Sequence, residues 1–540
     1  MKEATRIIIS FCFLILILVS STRLKAQNQY PNILLIISDD LGTDVSNGYF
    51  QNNPMPTTPT LDSLRSVGIT FSNAWAYPVC APTRAAILSG KYGVKTGATE
   101  LPASLDTTDV SIFRALASQT NDTYADALIG KWHLRTNPDQ FEPIDHGADH
   151  FDGLLGGGVQ DYYSWEHTLN DSTGIDTTYT TEAITNGAID WIQQQNTPWF
   201  GWLAYNAPHT PTHVPPAGTF NINNTTPNFR KYIAAIEALD FYLTDLFASM
   251  SDSVRDNTLV IYIGDNGTPG NFLRDYPTGH GKGSLYEGGI RVPMVVSGRG
   301  VSRAGERESA MVHVLDIYAT ILEAAGAELP GGIYNSLSFH HLLDGSPGET
   351  RDYNYSETTN DGDSLFGIRG PQYKLIEFIT DNRQEMYDLL ADSLETNDLL
   401  LGTLTAEQDS IKQDMEAEAA QIRSSWSCRD HIQNGDEAGI DCGGSECANC
   451  ITTALEDELE ESSIKIFPNP FTDRLTIVSE EHLMEEVRVF DALGKMIWEK
   501  KAIHQHQLEL NLPAKAGQLF FMDIRSNGQR DMRRLIRLAN

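Results

Sequence analysis

Basic residues are scarce in this chain of 540 residues: 39 lysines and arginines stand against 72 aspartates and glutamates, a formal net charge of -33. So acidic a surface repels polyanions at a distance, with salt limiting the reach to roughly 8–10 Å, which argues against nucleic acid as a partner. An anionic substrate is admissible only where the few Lys, Arg and His residues converge on one pocket. Long apolar runs are lacking too. One from Ile7 to Val19 follows Lys2 and Arg6 and is succeeded by Leu24-Lys25-Ala26 before Gln27. It is short for a membrane span and a processing-like site follows it, so residues 1–26 are expected to be a secretory signal peptide, leaving no transmembrane anchor after its removal.

Cysteine is the third scarcity, with six in all. Cys12 leaves with the signal. Cys428, Cys442, Cys447 and Cys450 lie together, and an even cluster in an exported chain reads as disulfides, with a metal site as the alternative. Cys80 is left over and needs its own reason. It stands in Tyr77-Pro-Val-Cys80-Ala-Pro82-Thr83-Arg84, which runs on to Leu88-Ser89-Gly90. Pro82 suits the first turn of a helix, which places Cys80 at the helix N-terminus and Arg84 about one turn on. Orphan N–H groups, the positive end of the dipole and a guanidinium then surround it. On these residues alone the stretch is an activated cysteine beside an anion site, or a buried structural cysteine opening an ordinary helix.

A chain this long with an ordinary apolar fraction buries a large core and holds more than one domain. Asn32–Ile37 is a continuous apolar run, the pattern of a strand buried on both faces of a parallel sheet, and it ends in Ser38-Asp39-Asp40. Tyr124–Ile129, Trp199–Ala204 and Thr258–Ile263 read the same way and deliver Lys131-Trp-His133, Asn206-Ala-Pro-His209 and Asp265-Asn266. Helical patterns, including Lys231–Met250 and Val312–Ala325, lie between or after them. Alternating strands and helices make a mainly parallel α/β sheet, with ligands beyond the carboxyl ends of its strands. Polar residues just past several strands are then one face of one pocket.

Asp39, Asp40, Asp265 and Asn266 offer hard oxygen ligands, which suit Ca²⁺ or Mg²⁺ rather than zinc. Clustered aspartates need compensation, which Arg84, Lys131 and Lys282 can supply with the metal. Lys282 sits in a Gly-rich run, Gly279-His280-Gly281-Lys282, continuing to Glu287-Gly-Gly-Ile-Arg291-Val-Pro293. His133 and His209 follow strands, whereas His213 and His280 lack that placement and are left unassigned.

Cys80-Ala-Pro82-Thr83-Arg84 with Leu88-Ser89-Gly90 resembles the sulfatase modification motif, in which the cysteine is oxidised to formylglycine by a dedicated maturation enzyme. The other segments follow in the same order: the Asp-Asp strand end, Gly-Lys-Trp-His, Ala-Pro-His, Asp-Asn-Gly, Gly-Lys-Gly and Glu-Gly-Gly-Ile-Arg-Val-Pro. The resemblance spans roughly Pro31 to the early 400s. It implies an alkaline-phosphatase-like sheet sandwiched by helices, over a catalytic domain of residues 27–350. It further implies one Ca²⁺, rather than Mg²⁺, on Asp39, Asp40, Asp265, Asn266 and the modified Cys80. Arg84 would stabilise the hydrated aldehyde, Lys131 and Lys282 would hold the sulfate, His133 would take a proton, and His209 would serve the leaving oxygen.

The remainder changes character. Residues 351–427 read as a small antiparallel subdomain with a charged helix at Thr405–Ser425, followed by the Cys-rich segment 428–450 and an acidic linker at 451–463. Residues 464–540 carry short alternating strands, with Pro468-Asn469-Pro470 and Asp491-Ala-Leu-Gly494. They resemble the β-sandwich sorting domain of type IX secretion, a carbohydrate-binding module being the alternative. The expectation is a secreted or cell-surface sulfatase acting on a sulfated polysaccharide or its oligosaccharides, with marine algal polymers such as ulvan or carrageenan the expected source. Two alternatives stand beside it: a phosphonate monoester or phosphodiester hydrolase, and a non-catalytic sulfated-glycan-binding surface protein.

Overall fold

The computed structural model describes residues 30–50, 54–134, 143–331, 333, 335–360 and 363–424, and then 464–467, 474–479, 482–491, 496–511, 519–526 and 529–536. The signal segment, the four clustered cysteines and the acidic linker lie outside the described residues. The chain divides into two compact units, Met1–Cys450 and Ile451–Asn540.

The larger unit is built on ten strands: β1 (Asn32–Ser38), β2 (Ile69–Trp75), β3 (Ala125–Lys131), β4 (Phe151–Leu154), β5 (Trp165–Leu169), β6 (Ser172–Asp176), β7 (Trp199–Ala204), β8 (Thr258–Gly264), β9 (Met294–Gly298) and β10 (Arg307–His313). They form one sheet in the order β10-β2-β9-β8-β1-β7-β3-β4-β5-β6. From β8 through β1, β7 and β3 to β4 every pairing is parallel. β9 runs antiparallel to both β8 and β2, so β2 points the same way as the central strands.

The central strands are apolar throughout because both faces are covered. Along β1, Ile33, Leu35 and Ile37 join one core with the Cys80–Ser89, Ile112–Thr120 and Asp316–Ala324 helices. Leu34 and Ile36 join the other core with the Thr180–Gln193 and Asn228–Ser249 helices. The period of two along the strand thus assigns successive side chains to opposite layers.

The expected helix Val312–Ala325 is shorter than its pattern. Val312 and His313 pair with Ala74 and Trp75 in the sheet, and the helix begins only at Asp316, whose carboxylate accepts the His313 N–H at 2.8 Å. Apolar spacing alone could not separate the strand end from the helix start. β11 (Asn354–Asn360), β12 (Asp363–Arg369), β13 (Tyr373–Phe378) and β14 (Arg383–Asp388) form a sequential antiparallel sheet. The Ala406–Ser424 helix packs beside it through buried Met415 and Ala419.

In the smaller unit, Ile464–Phe467, Arg474–Ser479 and Gln507–Asn511 form one antiparallel sheet. Met484–Asp491, Met496–Gln505, Leu519–Ser526 and Gln529–Ile536 form a second. Leu475, Ile477, Val487, Val489, Met522 and Ile524 from both sheets share a single core, as in a small sandwich.

Asp126 on β3 carries a testable cost. It is buried, accepts the Asp149 N–H at 2.8 Å, and burial pushes its carboxyl up to about 8. The unfolded chain therefore loses that proton near pH 4 while the folded one keeps it to about 8, so stability falls across that window as pH rises. Asp126→Asn should match the wild type near pH 4 and exceed it by a few kcal/mol above pH 8. Parallel melting curves across pH check this, and a constant difference would reject it.

Candidate active site

Because β8, β1, β7 and β3 are adjacent and parallel, their carboxyl ends lie side by side. β1 is followed by Asp39 and Asp40, β8 by Asp265 and Asn266, β3 ends at Lys131 with His133 two residues on, and β7 leads to His209. Gly130 makes the β3 end feasible. A Cβ there would lie 1.9 Å from the Ala204 carbonyl oxygen of β7, and its φ of 105° is one that L side chains rarely adopt. Asp40 and His133 hold φ values of 65° and 64° without being glycine, local strain of the kind that collects at functional sites.

Cys80 opens the Cys80–Ser89 helix and Arg84 lies one turn in; Cys80 and Arg84 are both buried. The guanidinium donates to Asp265 Oδ2 and to the Lys131 carbonyl, each at 2.8 Å. It therefore locks the helix to the ends of β8 and β3. Lys131 Nζ pairs with Asp39 and lies 3.5 Å from Cys80 Sγ. Lys282 pairs with Asp40. Asn266 Nδ2 donates to Asp40 Oδ1 at 2.8 Å, and His209 Nε2 stands 3.7 Å from Asp40 Oδ2.

The electrostatics follow from burial and pairing. Burial alone would raise the Asp39 carboxyl, but Lys131 and His209 outweigh it and hold the group below its ordinary range. For Asp265, burial and neighbouring Asp39 win over Arg84 and push the carboxyl up. His133 is driven well below the usual imidazole range by burial and by Lys131 and Arg84, so it stays neutral. Burial also pushes the Cys80 thiol up to about 11 despite Lys131. This corrects the expectation of an activated cysteine: desolvation and the nearby aspartates outweigh the helix N-terminus, and the unmodified thiol is a poor nucleophile at neutral pH.

The donor set fits a divalent cation. A carboxylate oxygen of Asp39, the Cys80 sulfur and a carboxylate oxygen of Asp265 lie within 4.8 Å of one another, and Asp39, Asp40 and His209 make a second such group. Among the described residues, the buried atoms Asp39 Oδ1 and Asn266 Oδ1 have no hydrogen-bond partner. Such orphaned hard oxygens at the centre of an acidic cluster are what a bound cation satisfies.

Every residue singled out from the sequence for this site comes to it. His213 and His280 are otherwise engaged, His213 stacked on Tyr162 and His280 on Tyr286, each with ring centroids 3.6 Å apart. Three supporting side chains were not foreseen. Thr83 Oγ1 donates to the Asp265 carbonyl at 2.7 Å and accepts the Tyr77 N–H. Tyr232, from the Asn228–Ser249 helix, donates to the Asp40 carbonyl at 2.5 Å. Glu287 ties the Gly-rich run to the antiparallel sheet through Lys374 at 3.3 Å and Arg369 at 3.2 Å. Thr83 and Glu287 stand inside quoted motifs and were findable there; Tyr232 carries no local signal.

A family model described as Sulfatase matches residues 31–327, more than half of the chain. One for the C-terminal part of N-sulphoglucosamine sulphohydrolase matches residues 279–425, and residues 455–536 match a domain of unknown function. The chain belongs to the sulfatase family, whose members are sulfuric ester hydrolases that generally use formylglycine and a divalent metal. It is 27% identical to the dog N-acetylgalactosamine-6-sulfatase over 67% of this chain and 74% of that enzyme. The N-acetylglucosamine-6-O-sulfatase of Bacteroides thetaiotaomicron is 26% identical, over 69% of this chain and 83% of that one. Among solved structures, Ps i-CgsB in complex with k-i-k-neocarrahexaose superimposes with a TM-score of 0.65 at 27% identity, covering 74% of this chain and 95% of that one. The architecture is thus the alkaline-phosphatase-like fold of the sulfatases.

If the orphaned oxygens hold a cation, adding it to metal-stripped protein raises the melting temperature by several degrees, since saturation at 100 times the dissociation constant adds about 2.7 kcal/mol. Asp40→Asn should reduce the response. Identical melting of stripped and Ca²⁺- or Mg²⁺-supplemented wild type would rule the site out.

Proposed function

We propose that this chain hydrolyses sulfate esters of a sulfated polysaccharide or its oligosaccharides, with Cys80 converted to formylglycine and Ca²⁺ held by Asp39, Asp40, Asp265, Asn266 and residue 80. The observation that carries the reading is the convergence of Cys80, three carboxylates, three cations and two histidines at one sheet edge. A non-catalytic glycan binder has no need of that convertible nucleophile position.

Formylglycine, when installed and hydrated, supplies a geminal diol as nucleophile, with a second hydroxyl that can later expel sulfate. The cation, when bound, supplies positive charge that acidifies that diol and draws charge from the sulfuryl oxygens. The remaining work falls to the chain. Lys131 and Lys282 bind sulfate oxygens, and Asp39 and Asp40 hold their ammonium groups in place. Arg84 is held by Asp265 and the Lys131 carbonyl, so it faces residue 80 without reorganising. Neutral His133 would take the proton that the second hydroxyl of residue 80 gives up as sulfate is expelled. His209 Nδ1 is 2.7 Å from the Thr210 carbonyl, which fixes that nitrogen as the N–H and turns Nε2 toward Asp40. With a second proton on Nε2, as an imidazolium beside the Asp40 carboxylate, the ring gives that proton to the leaving oxygen, where negative charge develops as the ester bond breaks.

Sulfated glycans are the substrate class that the relatives support: two act, by their names, on 6-sulfated N-acetylhexosamines, and a solved neighbour holds a neocarrahexaose. A carrageenan-type galactan is the first candidate and ulvan the second. Export by the signal at 1–26 and the sorting domain at 464–540 accords with a polymeric substrate, and the two-sheet core of that last unit is compatible with this reading.

Sulfate release from defined carrageenan and ulvan oligosaccharides and an aryl sulfate tests the proposal. The wild type should act on one sugar class, Cys80→Ala should lose at least ~1000-fold, and His209→Ala should lose about 100- to 1000-fold. Phosphodiester hydrolysis outrunning sulfate release would overturn it.

A further inference from the structure

His133 and His209 arrive on different strands, so neither strand alone sets the distance between their rings. The segment Leu155–Tyr162, which follows β4, touches both. The Leu155 carbonyl accepts the His133 N–H at 3.2 Å. A Cβ built on Gly157 would lie 2.3 Å from His133 Nε2 and 2.7–2.8 Å from the neighbouring ring carbons. That ring occupies the space a side chain would need. At Gly158 a Cβ would lie 3.2 Å from His209 Cε1 and Nδ1. Neither glycine has a positive φ, so close packing rather than backbone conformation demands glycine at 157. Buried Tyr162 completes the strap: its hydroxyl lies 2.7 Å from the His209 carbonyl and 2.8 Å from that of Asn206, donating between them. The Tyr162 carbonyl in turn accepts the Thr180 N–H at 2.9 Å, which ties the strap to the Thr180–Gln193 helix.

We propose that Leu155–Tyr162 is a positioning strap that sets the two histidines relative to one another, Gly157 by leaving room for the His133 ring and Tyr162 by holding the backbone of His209. It rests on the reading of His209 as the group serving the leaving oxygen. Neither Gly157 nor Tyr162 is assigned contact with the reacting atoms. What they control is whether two groups on separate strands are correctly placed at once, and small displacements of such groups are costly.

The measurement is kcat and KM on sulfate esters graded by leaving-group acidity, from 4-nitrophenyl sulfate to an alkyl or sugar sulfate, using the full modified enzyme. A phenolate of low pKa leaves without help, whereas an alkoxide needs a proton. Tyr162→Phe keeps the ring on His213 and removes only the hydroxyl. It should therefore lose on the order of tenfold in kcat on the alkyl ester and less than about threefold on the nitrophenyl ester. His209→Ala should show the same selectivity more steeply. Gly157→Ala should lose at least ~100-fold on every ester, because it displaces His133 whatever the leaving group. Tyr163→Phe, which removes a similar hydroxyl bond of 2.8 Å to the Val214 carbonyl, should match the wild type.

Equal loss across all esters in Tyr162→Phe, or no loss, overturns the strap even if His209→Ala behaves as expected. A His209→Ala enzyme without leaving-group selectivity overturns the underlying reading and the strap with it. Should Gly157→Ala fail to fold, the Tyr162→Phe profile still decides.

Discussion

Burial of Asp39, Asp40 and Asp265 at 0%, 2% and 0% exposure is the constraint on which the rest of this structure depends. Each buried carboxylate left unpaired costs several kcal/mol, and three at neighbouring strand ends also repel one another. Arg84, Lys131 and Lys282 answer that charge one for one, and they come from a helix start, a strand end and a Gly-rich loop. The balance therefore exists only when β8, β1, β7 and β3 lie side by side with the Cys80–Ser89 helix against them. Fold and site are one problem here.

The same cluster supports the proposal that residue 80 works only after chemical change. In so acidic and dry a setting the thiol holds its proton, because burial and the neighbouring aspartates disfavour the thiolate. A hydrated aldehyde in the same place presents oxygen atoms, matched to a hard cation and to lysines that bind oxyanions. The antiparallel sheet β11–β14 also contributes from a distance. Lys374, buried over the Trp75 ring and paired with Glu287 and Glu395, fixes the Gly-rich run that carries Lys282.

Much of this was legible in the sequence, for a physical reason. A strand buried on both faces is a continuous apolar run, so β1, β3, β7 and β8 declared themselves, and the polar residues after each could be assigned to one edge. The Cys-x-Pro-x-Arg spacing likewise placed Cys80 and Arg84 on one helical turn. The outer strands β4, β5 and β6 were not read, because they are only four or five residues long and β5 and β6 lack a continuous apolar run. Val312–Ala325 misled because a buried strand end and a buried helix start share the same apolar spacing. Gly157 could not be read as a site residue at all. Its requirement is the space taken by His133, which only the fold brings there.

The central claim is that residue 80 works as an aldehyde rather than as a thiol. The most direct test is the mass of the peptide spanning Cys80 from natively produced, active protein. Formylglycine should stand at position 80, in proportion to specific activity across preparations with different degrees of maturation. Full activity in protein whose Cys80 is wholly an unmodified thiol would contradict the account.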